Sequence, residues 1–267
     1  MADDESLGSG YGPGSPPGDN LCNDFQQETA RSFAELARAR GDRFERIEGE
    51  LTMTDASTPL PFHNRAVLEQ PIVDVERTVR QLRDFYDAAG VGPFLFDSAW
   101  PTPDLRAHGF MLMGRPPLMV RAADRPLPDP PPDLRIVRVE DAETAADLER
   151  TLIDGYPAPM LAPFERLRLF TPDALEARGW HSFVGYFEGR RVAGGSSYVD
   201  RQLLRVENIV ALPEVRGRGF GAAITAATIA VDPSKPAALV ASDLGRPIYE
   251  RLGFVAMARV SYWVGMR

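Results

Sequence analysis

The 267-residue chain is poor in the residues that most often carry chemistry. One cysteine, Cys22, excludes an intrachain disulfide and every cysteine-rich zinc cage, and it fits a reducing cytoplasm. Three histidines, His63, His108 and His181, lack the i, i+4 partner of a helical zinc site, so no catalytic metal is expected. The longest apolar run, Phe220 to Val231, is shorter than the roughly 20 residues a helix needs to cross a bilayer. The opening MADDESLGSGYG has neither the basic flank nor the apolar core of a secretory signal. A soluble, cytoplasmic protein without a membrane partner is expected.

A formal net charge of −8 argues against nucleic acid as the main partner. The imbalance is uneven: residues 1 to 133 carry 13 arginines against 22 acids, whereas residues 134 to 267 carry 17 basic residues against 16 acids. An anionic ligand therefore belongs to the second half.

What is present points to two domains, the number a chain of this length favours. Residues 1 to 20 are Gly, Pro, Ser and acid, and read as a disordered tail. The run RPLPDPPPD has five prolines in nine residues, which makes an extended, semi-rigid connector. The reading assigns 21–125 to a first domain, 126–133 to the linker and 134–267 to a second domain.

In the second half LRIVRV alternates as a strand and DAETAADLERTLIDGY has helical spacing. WHSFVGYFEG and RRVAGGSSYVD form a hairpin around Gly189, and Gly194 and Gly195 ahead of Ser196 and Ser197 are expected to mark a bulge. RQLLRVENIVAL is a strand leading into the helix FGAAITAATIAVD. The strand AALVAS, the short helix LGRPIYERLG and the strand pair FVAMA and SYWVG follow. That order is α/β or α+β, with one parallel crossover around the Ala-rich helix.

Between the strand and that helix stands Arg216-Gly217-Arg218-Gly219-Phe220-Gly221. Glycines allow a tight turn, and the free amides and positive dipole end of the helix then face outward as an anion site suited to phosphate. A Walker loop is excluded, because Phe220 and Gly221 stand where its Lys and Ser or Thr should be. Gly217, Gly219 and Ala222 satisfy the loose dinucleotide pattern, with Asp243 as a ribose ligand, but only 45 residues follow Ala222, too few for that fold. A turn without a ligand is the bland alternative.

The motif R-x-x-G-x-G after a strand, followed by strand, helix and YERLGF, resembles the GNAT superfamily of acyl-CoA-dependent N-acetyltransferases over Leu134 to Arg267. The resemblance implies that Arg216, Gly217, Arg218, Gly219, Phe220, Gly221 and Ala222 hold the pyrophosphate of acetyl-CoA, the co-substrate. It implies that Ile209, Val210 and Ala211 meet the pantetheine arm, whose amides mimic a strand. Ser242 stands where the family usually has Asn, and Tyr249 matches the general acid toward the CoA thiolate. Glu207 stands where members carry a base for the amine, with an edge-strand salt bridge as its alternative role. Glu207 and Ile209 share a strand face unless a bulge intervenes.

The later part of the first half repeats this element order, and AHGF at 107–110 answers RLGF at 251–254. Its loop reads EQPIVDVE, without the glycines or arginine of an anion site. It therefore reads as a degenerate GNAT-like domain, and mycothiol synthase is a family member with two such domains in one chain. Its acidity would favour a cationic amine acceptor, small molecule or protein, in a cleft that it helps to wall. The resemblance implies acetyl transfer from acetyl-CoA to a primary amine within a ternary complex. A non-catalytic acyl-CoA-binding regulatory protein is the alternative, and a homodimer stays open.

Overall fold

The computed structural model describes residues 21–156, 159–161 and 163–267. The expected tail at 1–20 lies outside them. The elements are α1 (Leu21–Arg40), β1 (Arg43–Ile47), β2 (Leu51–Asp55), β3 (Asn64–Leu68), α2 (Val75–Ala88), β4 (Phe94–Ser98), β5 (Phe110–Gly114), β6 (Pro117–Arg121) and β7 (Arg135–Arg138). There follow α3 (Ala142–Gly155), β8 (Trp180–Phe187), β9 (Arg190–Val199), β10 (Leu204–Ala211), α4 (Phe220–Ile229), β11 (Ala237–Val240), α5 (Arg246–Arg251), β12 (Val255–Arg259) and β13 (Ser261–Gly265). Two mixed sheets flanked by helices result, each with one parallel pair, β3 with β4 and β10 with β11.

Two compact units do not simply follow chain order. The first joins the described residues through Met119 to Val240–Ser242 and Ala256–Arg267, and the second comprises Val120–Leu239 and Asp243–Val255. The run 126–133 belongs wholly to the second unit, where the buried Arg121 donates to the carbonyls of Arg125 (2.7 Å), Pro126 (2.9 Å) and Leu252 (2.9 Å). One guanidinium thus fixes the start of the proline run against the end of α5.

In the first unit β13 lies between β4 and β5, antiparallel to both, with Trp263 opposite Phe96. Trp263 is 1% exposed and its indole donates to Thr102 Oγ1 at 2.9 Å. The sequence reading finds SYWVG as a strand but not its place, because a strand's partner is not written in its own residues. It also passes over β1 and β5.

In the second unit β9 pairs antiparallel with both β8 and β10. α3 packs on one face over Val139, Val184 and Val210, and α4 on the other over Val192, Ala193 and Leu212. Gly194 and Gly195 do stand at a bulge, but the extra residue is on the neighbouring strand β10, whose Asn208 and Ile209 together face Gly195. Gly194 and Gly195 are close-approach positions: a Cβ at Gly194 would lie 2.5 Å from Leu148 of α3, and one at Gly195 would lie 2.7 Å from Ile224 of α4. The two glycines let both helices settle on the sheet.

Candidate active site

The bulge sits on β10. The register with β9 passes from Glu207 opposite Ser196 to Val210 opposite Gly194, so Asn208 and Ile209 together face one residue. Asn208 takes φ 58°, the left-handed region that asparagine tolerates better than most residues. The face alternation is reset. Glu207 and Val210 now share the α3 side, while Ile209 packs on the α4 side.

β10 is paired to β11 only at Leu204 and Arg205, opposite Ala237 and Ala238. Beyond Arg205 its edge away from β9 has no strand partner among the described residues. A hydrogen bond from Leu212 N to Val192 O (2.9 Å) fixes which groups face β9, so the alternate carbonyls of Ile209 and Ala211 face the open side. The Tyr156 hydroxyl donates to Ile209 O, and Arg216 Nε reaches Ala211 O at 3.4 Å.

Past Ala211 the chain makes a short 3-10 turn at Pro213–Val215 and enters the glycine loop. Gly217 and Gly219 take φ 81° and 82°, which explains the residue type at both positions. A Cβ on Gly217 would meet nothing within 4 Å, so conformation rather than crowding selects glycine there. Gly219 caps α4 without a side-chain acceptor, and the first helical bond is Ala223 N to Gly219 O at 3.0 Å. The amides of Phe220, Gly221 and Ala222 thus open the helix, where an anion is favoured by about 0.3 to 1 kcal/mol from the dipole alone. Phe220 is buried and anchors the turn. Arg218 lies over the rings of Phe187 (4.0 Å) and Phe220 (5.3 Å), which holds its charge beside the loop.

Tyr249 on α5 is buried, its ring edge-on to Phe254 at 5.9 Å. Burial first, and then the nearby Tyr156 phenol, push its pKa well above the ordinary tyrosine value. Its proton is firmly held, the opposite of the lowering that would ease transfer to a thiolate. Glu207 meets the fully buried Arg205 guanidinium, and its own side chain is 21% exposed. Ser242 is exposed in the connection from β11 to α5 and belongs to the first unit.

The structure therefore brings Ile209, Ala211, Arg216 and Tyr249 around one residue that sequence reasoning missed, Tyr156. It ends α3 as the C-cap, its N–H bonded to Leu152 O at 2.8 Å. Gly155 before it lies so close to Val210 that any Cβ would clash. The Gly-Tyr pair closing a helical pattern was the available signal. His181 instead engages Arg138 at 2.7 Å. A cavity of about 470 Å³ beside α3 and the β8–β9 turn is lined by charges that already pair, Arg191 with Asp154 (2.9 Å) and Tyr186 with Asp147 (2.6 Å). Among the described residues no group of three or more His, Cys, Asp or Glu is arranged to hold a metal ion. No described helix is long and apolar enough to cross a membrane.

The corresponding features of the first unit are filled from within. The Asp74 carboxylate caps α2 by accepting from Arg77 N at 3.0 Å, so a fixed anion already occupies that helix start. Gln26 Nε2 donates to Leu68 O of β3 (2.9 Å) and Asp97 O of β4 (3.3 Å), and Trp100 Nε1 donates to Glu69 O at 3.2 Å. A buried ion pair, Arg65 with Asp97 at 2.6 Å, spans the same two strands.

No protein-family model and no curated protein matches the sequence. Solved structures do match. A GCN5-related N-acetyltransferase from Kribbella flavida is 20% identical at a TM-score of 0.66, covering 92% of this chain and 95% of its own. A GNAT-family acetyltransferase structure from Novosphingobium aromaticivorans is 17% identical at 0.55, covering 90% and 99%. A tandem GNAT protein from the clavulanic acid biosynthesis pathway is 14% identical at 0.52, covering 93% and 95%. The chain therefore has the fold of the GCN5-related N-acetyltransferases, over nearly its whole length.

Proposed function

We propose that the chain is an acetyl-CoA-dependent N-acetyltransferase whose second unit carries the chemistry. The observation that supports this reading best is the continuous run from a strand edge at Ile209–Ala211, paired with no further strand among the described residues, into a helix start at Gly219 without a side-chain cap. An extended ligand with amides at one end and a pyrophosphate at the other is complementary to that run. Arg216 and the amides of Gly217 to Ala222 would take the pyrophosphate, with Arg218 adding charge from its aromatic seat.

In this reading the amine nitrogen attacks the thioester carbonyl, the carbon–sulfur bond breaks, and the nitrogen's proton leaves to a base. Glu207 is that base, its carboxylate held in place by Arg205. Tyr249 returns a proton to the departing thiolate, a step that requires the site to acidify the phenol once the developing negative charge lies beside it. The first unit is assigned a supporting role, since Asp74, Gln26 and Trp100 already fill its equivalent positions.

One finding favours a second reading, a non-catalytic acyl-CoA binder: Glu207 is engaged by Arg205, and Tyr249 holds its proton tightly. Incubation with acetyl-CoA and a panel of amines and peptides, following thiol release and CoA binding in parallel, separates the two. Amine-dependent thiol release is the expected result. Tight CoA binding with no thiol release above hydrolysis across the panel would leave the binder, and no CoA binding would end both readings.

A further inference from the structure

The open edge of β10 is not bare. Of the carbonyls that face away from β9 past the bulge, Ile209 O accepts from the Tyr156 hydroxyl and Ala211 O from Arg216 Nε. Each is an acceptor that an amide of an extended ligand would otherwise use. The arrangement of Tyr156 is specific: Gly155 permits α3 to end directly on Val210, and the C-cap geometry of Tyr156 then directs its phenol to the next carbonyl along the strand. Half of the Tyr156 surface is exposed, so no packed core prevents the ring from turning away. Gly155 by contrast is locked.

Resting on the acyl-CoA reading above, we propose that Tyr156 is a built-in stand-in for the pantetheine arm, occupying the Ile209 carbonyl in the free protein and yielding it when acyl-CoA binds. A buried or half-buried carbonyl left without a donor is costly, and the phenol satisfies it until the ligand arrives. The ligand must then replace this hydrogen bond rather than add one, so Tyr156 sets the affinity downward.

The test is CoA and acetyl-CoA affinity of the full chain by calorimetry, wild type against Tyr156→Phe. The variant keeps the ring and loses the donor, so affinity should rise about three- to tenfold, the worth of one net hydrogen bond. Thermal unfolding of the ligand-free variant, which separates competition from a plain loss of fold, should move downward by a few degrees at most. Unchanged or weaker binding by Tyr156→Phe, with the wild type binding normally, overturns the role of Tyr156 and leaves the acyl-CoA reading intact. Absence of CoA binding by the wild type overturns that reading and this proposal with it.

Discussion

Arg205 and Glu207, two residues apart on β10, meet guanidinium to carboxylate, with the arginine side chain fully buried and the glutamate at the surface of the bulge. A carboxylate so placed is held in position by its partner. Glu207→Gln should lower kcat/KM by about a hundredfold and flatten the acid limb of its pH profile, the reach of a positioned general base. Activity within twofold of wild type would assign Glu207 to the strand's ion pair alone.

Tyr249→Phe keeps the buried ring and its contact with Phe254. Turnover should fall by about 10² to 10⁴ with CoA affinity retained. Full turnover would remove the phenol from the proton path.

At the anion site Gly219→Val places a β-branched residue at φ 82°, a conformation that costs an L-residue about 1 to 2 kcal/mol. We expect CoA affinity to drop at least tenfold. In the first unit Asp74→Ala should cost about 1 kcal/mol of stability as a lost cap, with CoA affinity unchanged. An Asp74→Ala variant that alters CoA binding would show that the first unit's helix start takes part.

Four tyrosines, Tyr86, Tyr156, Tyr186 and Tyr249, are pushed above the ordinary value, in each case chiefly by burial. Below about pH 10 they are neutral in both folded and unfolded chains, and their contribution is intact. Above it the unfolded chain ionises while the fold holds the phenols neutral, so stability falls as pH rises. Urea midpoints should be level from pH 8 to 9.5 and decline from there, with these four of the seven tyrosines adding to the absorbance at 295 nm as the chain unfolds. A midpoint unchanged at pH 11 would contradict these assignments.

Burial raises the Cys22 thiol to about 12. Native protein at pH 8 should leave a thiol reagent unreacted, and urea should release one equivalent. Rapid labelling of the native chain would show that α1 opens.

The glycine loop was legible in the sequence because its determinants are local: Gly217 and Gly219 are required by their own backbone angles, and Arg216 comes five residues after the end of its strand. The mostly antiparallel order with one crossover was legible for the same reason, since periodicity and turns are short-range signals. The strand that carries the bulge was not, because Asn208 reaches a left-handed angle without the glycine that would advertise it. Gly194 and Gly195 advertised a bulge, which falls on the partner strand opposite Gly195, and they have a second use, relief of contacts with Leu148 and Ile224 that only packing reveals. Tyr156 and Arg205 act through partners set by the tertiary fold, and among the three acids of the loop EQPIVDVE it is Asp74 that caps the helix start with its own carboxylate.

The position of β13 has a consequence in time. A ribosome delivers β4 and β5 long before Ser261–Gly265, yet the last strand is the one that joins them. Until β13 has been made, both wait with an unsatisfied edge, a state prone to wrong pairing, and the connection they finally close is longer than 140 residues. The sheet begun first is thus completed late, and removing Ser261–Gly265 should be felt at β4 and β5.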